Sequence, residues 1–509
     1  MKEEQLKKLD ICHFHYDLNQ RCEEEVVSAR KLLGSSRFDL YAILLYIDHK
    51  VRGVSDMSYA KRIYAERTRA ITGLTFKEAG NSQKQTIDDF FLVLDKLIED
   101  FKSGLFDESR TLIPVDKNYE LIDGAHRVSC AAYFNKKVRI LRFLDVKIYE
   151  MTFQYLTDKL MPMDVAEAMA LEATKWHDDL FMLFLWPKAF LQGEKLSKAK
   201  ELIKEKADVL YHKPCVMSYQ AIRNLMIQIY GHMDWVGNID NDFSSTYKKA
   251  DEVWSPEGKC EFVLLKAPST QYVLNLKSEI REIFQIGLSS IHSTDNMRET
   301  VIAANALFNP NSFFFLNIAK PTRFKNSYRL LQKYKSRIHE GKRSENEFIV
   351  DSSMVLAITG AREANDLDFY TTTEKGLNLF NGISNIEEHD NIQRQYYNVP
   401  ISDLITNSHN HFWYDEIKFV SLEQLLEFKK NRYKADRDPK DASDIKLLEI
   451  LLSGKENKFR KWILSVQIGM RRSERKFMSR YRTIRNSVLK RVGIYDHLKM
   501  IKDQYKKYK

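Results

Sequence analysis

One stretch, residues 119–134, constrains the fold of this chain more than any other. A β-type apolar run stops at Asp123-Gly124, and apolar residues with helical spacing follow from Val128. Further apolar runs lie on either side, at 112–115 and 138–141. The pattern predicts a strand, a tight turn, a helix and a return strand.

The predicted turn brings five residues with useful chemistry to the beginning of the helix: Asp123, Gly124, Ala125, His126 and Arg127. Free backbone N–H groups and the helix dipole favour a phosphate there, and glycine lets the phosphate approach the main chain. Arg127 could bind the phosphate as a fork, and His126 could donate to it. A purely structural interpretation, with Asp123 as the helix cap and Arg127 in solvent, accounts for the same residues equally well.

The string from Ile122 to Ala132 resembles the Asp-Gly-His-His-Arg or Asp-Gly-His-Arg-Arg box of the ParB/sulfiredoxin-like superfamily, which also follows a strand ending in Ile-Pro-Val. The resemblance implies an α/β nucleotide-binding domain over residues 1–150 that binds ATP or another nucleoside triphosphate. It implies binding roles for Gly124 and Ala125 and catalytic roles for Asp123, His126 and Arg127. Ala125 departs from the usual box, and the sequence identifies no catalytic carboxylate, so binding is better supported than transfer.

The region before this box reads as mostly helical, with a clear helical spacing of apolar residues in 87–101. Cations in Arg62–Arg69, together with Glu78, Ser82 and Lys84, could face the box. A solvated helix face is the preferred interpretation of these charges.

Residues 151–330 form a mixed α/β region with no assigned fold. Leu180–Trp186, followed by proline, predicts a buried segment that ends at the proline. The Gly287–Asp295 loop precedes a helical stretch, and Thr294 or Asp295 is its expected N-cap, with Glu299 in the first turn. The same loop could instead bind an anionic substrate.

A second informative segment spans residues 347–373. An apolar strand leads to the small pair Ser352-Ser353, a helix follows, and a second strand carries Asp366 and Asp368. Strand alternation places the two carboxylates on one face, where they could bind Mg²⁺ against nucleotide phosphates. An isolated Asp-x-Asp also occurs in solvated turns, so the order of the elements carries more information than the pair.

That order resembles the polymerase-β superfamily of nucleotidyltransferases, in which an apolar strand, Gly-Gly or Gly-Ser, a helix ending near Arg and Asp-x-Asp follow one another. The run 417–445 resembles the segment after the sheet in those domains. The resemblance implies a nucleotidyltransferase-like mixed sheet with helices over 331–454, with Asp366 and Asp368 as catalytic metal ligands. It implies cofactor contacts from three residues: Ser352, Ser353 and Arg362. The serine pair replaces the glycines, and the third carboxylate is not obvious, with Asp390 and Asp415 as alternatives.

The charge of +10 is concentrated in the tail, residues 455–509. The tail has 18 basic and four acidic residues, against 62 basic and 66 acidic before it. Its apolar residues at 477, 481, 484 and 488 predict a basic amphipathic helix on an anionic membrane surface. Packing of that stripe on the nucleotidyltransferase-like domain is the alternative.

The N-terminus lacks an apolar signal region, and no apolar run is long enough to cross a bilayer. Five scattered cysteines indicate neither a disulfide framework nor a structural metal. We therefore expect a cytoplasmic protein that associates peripherally with the inner face of the membrane.

Together these features predict an α+β multidomain enzyme that transfers phosphoryl or nucleotidyl groups. The basic tail and the pairing of two nucleotide modules favour bacterial surface-polysaccharide synthesis, with a sugar or polyol acceptor. One alternative is a nucleic-acid-directed toxin or RNA- or DNA-modifying enzyme, because the tail would also neutralise phosphates. An inactive scaffold is the other.

Overall fold

The computed structural model describes residues 3–9, 20–78, 83–107, 111–146, 150–373, 376 and 378–453, with short pieces of the tail between 470 and 495. Helices make up most of the described structure, and the strands form three small sheets. The predicted α+β class is therefore confirmed. No helix in these ranges is long and apolar enough to span a membrane.

The N-terminal region is a three-stranded sheet covered by helices. Its strands are β1 (Cys22–Ser28), β2 (Ile113–Val115) and β3 (Lys137–Phe143). Its helices are α1 (Glu3–Lys8), α2 (Leu40–Val51), α3 (Ser58–Ile71), α4 (Ile87–Lys102) and α5 (Ala125–Tyr133). The central strand β3 is antiparallel to β1 and parallel to β2, and α5 is the crossover between β2 and β3.

The predicted strand, turn, helix and return strand are present, with one correction. Residues 119–122 do not form a strand and pair with β2 only through the bridge between Val115 and Leu121. The reason is a tight turn in which the Asp116 carboxylate accepts from the amides of Asn118 and Glu120, at 2.7 and 2.9 Å. The turn folds this segment back onto β2 and directs it to the beginning of α5.

The helix predicted near 87–101 is confirmed as α4. It begins at a capping box in which Thr86 and Asp89 satisfy each other's backbone amides. Four of its apolar residues, at helical spacing, are buried: Phe90, Leu94, Ile98 and Phe101. These buried residues pack α4 on the core, and α4 also contacts α5.

The middle region contains a four-stranded antiparallel sheet. Its strands are β4 (Leu180–Leu185), β5 (Asp208–Val216), β6 (Lys259–Lys266) and β7 (Ile291–Ser293), in the order β5-β6-β4-β7. Its helices are α6 (Phe153–Asp158), α7 (Met163–Ala173), α8 (Pro187–Phe190), α9 (Gly193–Lys206), α10 (Tyr219–Tyr230), α11 (Ser244–Val253), α12 (Thr270–Phe284), α13 (Met297–Phe308) and α14 (Pro310–Ile318). Two split βαβ units share this sheet, β4 to β5 and β6 to β7, and in each unit the two parallel strands have another strand between them. The helices α10 and α11 are inserted between β5 and β6.

The sequence predictions for this region are mostly confirmed. Every residue of β4 is buried, because α9 and α12 cover one face of the sheet and the main core covers the other. The strand ends where Pro187 begins α8. The predicted cap of α13 is wrong by one or two residues: Asn296, and neither Thr294 nor Asp295, accepts from the Glu299 amide, at 3.0 Å.

The C-terminal region has a five-stranded mixed sheet in the order β10-β9-β8-β12-β11. Its strands are β8 (Phe348–Asp351), β9 (Leu367–Thr371), β10 (Ile386–Glu388), β11 (His411–Tyr414) and β12 (Ile417–Val420). Its helices are α15 (Lys325–Glu340), α16 (Ser352–Thr359), α17 (Asn391–Arg394), α18 (Ile401–Thr406), α19 (Leu422–Asp436) and α20 (Pro439–Leu452). The predicted order of strand, helix and strand is confirmed as β8, α16 and β9.

One large apolar core extends through all three regions, and two smaller apolar clusters lie beside it, one of them under α9 and α12. Polar contacts join them as well: the Asp403 carboxylate of α18 accepts from Ser55 Oγ at 2.9 Å and from the Asp56 amide at 3.0 Å. Asn309 Nδ2 donates to the Ser408 carbonyl at 2.9 Å. The first and last regions are therefore in direct contact.

Candidate functional site

The beginning of α5 is open to a ligand. Gly124 is the N-cap residue, and no side chain caps the helix. Asp123 instead accepts from the Gly124 amide at 2.6 Å, one residue before the helix. The structural interpretation of Asp123 as the cap is therefore wrong, and the first-turn amides remain available to an anion.

Glycine is required at position 124 for two reasons. Its φ is +94°, in the left-handed region, and a Cβ there would lie 3.0 Å from Ile113 Cδ1 and 3.2 Å from Arg127 Nη2. A side chain at this position would therefore be strained and would displace Arg127. The bare backbone leaves room for a phosphate at the mouth of the helix.

The whole box opens into a cavity of about 690 Å³ between α3, α4 and α5. All five predicted residues, from Asp123 to Arg127, line it. Six basic side chains line the cavity: Arg37, Arg67, Lys77, Lys84, Lys96 and Arg127. Three acidic ones do so: Glu78, Asp100 and Asp123. The excess of positive charge favours an anionic ligand.

Part of that charge is built into the floor of the cavity. The fully buried Asp39 accepts from Arg37 Nε at 2.8 Å and pairs with Arg67, so one carboxylate faces two guanidinium groups. Burial acts to raise the pKa of Asp39, but the two arginines lower it to about 2. Arg67 Nε is buried and has no hydrogen-bond partner. One positive charge thus remains uncompensated within this cluster.

His126 is a neutral group in this cavity. Its Nε2 lies 2.7 Å from the Tyr64 hydroxyl. Burial, with help from the nearby Lys84 and Arg67, holds the pKa of His126 well below its usual value. The imidazole therefore orients against Tyr64 and contributes no positive charge at pH 7.

Arg127 is the best placed of the cavity cations to bind a ligand. It is half-buried, and no residue in the described ranges forms a hydrogen bond or an ion pair with its guanidinium. Opposite it, Lys84 pairs with Glu78 at 2.9 Å and lies over the Phe90 ring. Arg127 can therefore accept a phosphate without breaking an existing ion pair.

The solvated-face interpretation of the charges before the box is wrong for Arg67, Glu78 and Lys84, which line the cavity. It fits Arg62, which pairs with Asp164 and is 43% exposed. Ser82 lies outside the described residues. Sequence reasoning also missed four residues that only the fold brings to the box: Arg37, Asp39, Lys96 and Asp100. The one local signal for them is the spacing of Lys96 and Asp100, which share a face of α4.

A second cluster lies across the C-terminal sheet. Asp351, Asp368 and Glu387 occupy one row of paired positions on β8, β9 and β10. Asp351 is buried and is held by His389 Nδ1 at 3.0 Å and by the Tyr397 hydroxyl at 2.5 Å. The structure thus places Glu387 opposite Asp368.

The other residues predicted for this site have defined partners. Asp366 stands one residue before β9 and accepts from Ser353 Oγ at 2.9 Å. Arg362 forms a forked pair with Asp444 of α20, at 2.7 and 2.9 Å. Of the alternatives for a third carboxylate, Asp390 caps α17 and Asp415 accepts from Lys335 at 2.6 Å.

The backbone of Ser352, at the junction of β8 and α16, is strained. Its φ is +53°, in the left-handed region, and its hydroxyl is buried with no partner. The chain needs this conformation to pass directly from β8 into α16. Ser352 therefore adopts a backbone conformation that favours glycine, at an energetic cost.

The carboxylates of this cluster repel one another. Burial and the nearby Asp366, Asp351 and Glu387 raise the pKa of Asp368 to about 6, although His389 opposes them. Among the described residues, no group of three or more His, Cys, Asp or Glu side chains is arranged to hold a metal ion. Two carboxylates with substrate phosphates are a common way to hold Mg²⁺, and this is the arrangement that the sequence predicts for Asp366 and Asp368.

Comparisons of the chain with protein-family models, curated proteins and solved structures found no match. The two resemblances seen in the sequence therefore stay predictions, and the site rests on its own geometry.

Proposed function

We propose that this chain binds a nucleotide through its phosphates at the beginning of α5 and uses it in phosphoryl or nucleotidyl transfer. The observation that carries the proposal is the uncapped helix end at Gly124, which opens into a cavity with six basic side chains. A helix N-terminus, glycine and an uncommitted arginine are the groups that hold phosphates in many proteins.

The size and lining of the cavity support a whole nucleotide rather than phosphate alone. Its volume of about 690 Å³ is typical of sites for organic ligands of that size. Away from the box it is lined by apolar side chains, among them Ile71, Val93 and Leu97. In our proposal the phosphates contact the box and Arg127, and the base contacts this apolar wall.

A second transfer site, with a bound nucleotide of its own, is proposed at the cluster of the C-terminal sheet. Asp366 and Asp368 would hold Mg²⁺, which would neutralise the phosphates of a bound nucleotide. The elevated pKa of Asp368, which burial and then the acidic neighbours raise, supports this role, because a nearby cation would stabilise the ionised form. The sugar or polyol acceptor and the setting in surface-polysaccharide synthesis stay predictions from the sequence.

The tail is proposed to dock on an anionic membrane surface. Four of its apolar side chains are exposed on short described pieces: Phe477, Tyr481, Ile484 and Val488, with 53–70% of each accessible. This exposure disfavours packing of the stripe on the rest of the chain. Basic residues beside exposed apolar ones favour anionic lipid, while nucleic acid would use the cations alone.

Calorimetric titration with ATP tests the proposal. Arg127→Ala should weaken binding by roughly 2 kcal/mol, about 30-fold, because a charge-assisted fork is lost. Arg139→Ala is the matched control, since Arg139 lies on β3, the strand that follows α5, and pairs with Glu24 outside the cavity. Equal affinities for wild type and Arg127→Ala would remove the box from the nucleotide site.

A further inference from the structure

Two of the cysteines that are scattered in the sequence meet in the middle region. Cys215 lies near the end of β5 and Cys260 near the beginning of β6, 45 positions apart in the chain. The register of these antiparallel strands places the two residues directly opposite each other. Both side chains pack against the main apolar core, so they lie on the same face of the sheet.

The two sulfur atoms are close to bonding distance. Cys215 Sγ and Cys260 Sγ are 3.5 Å apart. A disulfide needs Cα atoms about 4.4–6.8 Å apart, and directly opposed residues of antiparallel strands have Cα atoms about 4.5–5.5 Å apart. In addition, β5 is at the edge of the sheet, so it can shift slightly without disturbing a second neighbouring strand. The backbone therefore already has the separation that a disulfide requires.

The two thiols differ in access to solvent. Cys215 is partly exposed, whereas Cys260 is fully buried. The hydrogen bond with Cys215 and burial both raise the pKa of Cys260 well above its ordinary value, so this thiol stays protonated at pH 7. A small solute reaches Cys215 first and leaves Cys260 as the protected partner. An accessible thiol beside a second thiol is the arrangement in which oxidation ends in a disulfide.

We infer that Cys215 and Cys260 form a site of reversible oxidation, at which a peroxide converts the two thiols into a cross-strand disulfide. The Cys215 sulfur attacks one peroxide oxygen, the O–O bond breaks, and the released hydroxide leaves as water with the Cys215 proton. The Cys260 sulfur then attacks the sulfenic acid sulfur of Cys215. An S–S bond forms, the S–O bond breaks, and the hydroxide leaves with the Cys260 proton as a second water. Two thiols are oxidised and one peroxide is reduced.

The disulfide would join the two ends of the segment that carries α10 and α11. These ends already meet beside the cysteines, because the Met217 amide donates to the Gly258 carbonyl at 2.9 Å. Oxidation would therefore close the base of this insertion covalently. The inference goes beyond the proposed function, because neither cysteine lines the nucleotide cavity or belongs to the carboxylate cluster of the C-terminal sheet.

The test treats the full chain with hydrogen peroxide, blocks the remaining free thiols and maps the peptides without reduction. The peptides of Cys215 and Cys260 should be joined by a disulfide, and dithiothreitol should separate them. Cys215→Ser should abolish this product. Cys260→Ala should leave Cys215 as a sulfenic acid that dimedone labels, because the second thiol is missing.

Cys22 is the matched control, because it is also a partly exposed cysteine on a strand, but the residue opposite it is Phe143. Cys22→Ser should leave the disulfide between Cys215 and Cys260 unchanged. If Cys260→Ala does not fold, Cys215→Ser carries the test, since Cys215 is partly exposed on an edge strand. A wild-type chain in which both thiols stay free, or in which Cys215 is oxidised without bonding to Cys260, would overturn the inference.

Discussion

Replacing Asp368 by asparagine should stabilise the protein at pH 8, because this carboxylate is charged in a partly buried position and, in addition, near other carboxylates. Its pKa is raised to about 6, from an ordinary value of 3.8. A shift of about two pKa units corresponds to roughly 3 kcal/mol of destabilisation of the ionised form. Since Asp368 is partly exposed and its repulsion is shared among several groups, we expect about 1–2 kcal/mol.

The effect must depend on pH in one direction. Below about pH 4 the group is protonated in the folded and the unfolded chain, so nothing is gained by the substitution. Between pH 4 and 6 the unfolded chain loses this proton first, and the penalty on the folded state develops. Above pH 6 the penalty is complete and constant. The variant should therefore melt about one or two degrees above wild type at pH 8 and with it at pH 4.

Calorimetric melting of both proteins at the two pH values measures this difference, with exposed Asp178→Asn as the control for a generic loss of charge. Mg²⁺ adds a second readout: it should raise the melting temperature of wild type at pH 8, more so with nucleotide, and have little effect on Asp368→Asn. A difference in melting temperature between the variant and wild type that is the same at pH 4 and pH 8 would refute the penalty on ionised Asp368. An Asp368→Asn variant that responds to Mg²⁺ as wild type does would refute the metal role.

Two further predictions concern the backbone and the tail. Ser352→Gly should stabilise the chain by about 0.5–1 kcal/mol in thermal or denaturant unfolding, because relief of the left-handed strain exceeds the added freedom of the unfolded chain. Ser353→Gly, in the first turn of α16, is the control and should destabilise the chain. A loss of stability in Ser352→Gly would argue against strain at this residue. Phe477→Ser with Ile484→Ser should abolish most co-sedimentation with anionic liposomes, because two exposed apolar side chains are lost. The double variant should leave any affinity for duplex DNA or RNA unchanged, because every cation is kept. Full retention on liposomes would favour the nucleic-acid alternative.

The sequence predicted the local elements around both sites because their signals are local. An apolar run, Asp123-Gly124 and helical spacing define β2, α5 and β3, and the same logic defines β8, α16 and β9. The prediction of a strand at residues 119–122 was wrong because it rested on the apolar residues there. In the structure the Asp116 carboxylate accepts from the backbone amides of Asn118 and Glu120 and holds the segment in a turn.

The composition of the sites could not be predicted, because it depends on long-range packing. Arg37 and Asp39 reach the box from more than 80 residues upstream, once α2 and α5 pack together. Glu387 comes to lie opposite Asp368 only through the parallel pairing of β9 and β10.

Hydrogen–deuterium exchange with and without saturating ATP tests the central claim most directly, because it reports the first-turn amides of α5. No side chain caps these amides, so phosphates that bind there must slow their exchange. We expect protection of residues 121–128 on addition of ATP, and its loss in Arg127→Ala. Protection confined to residues 348–371, or none in either segment at saturating ATP, would contradict the account.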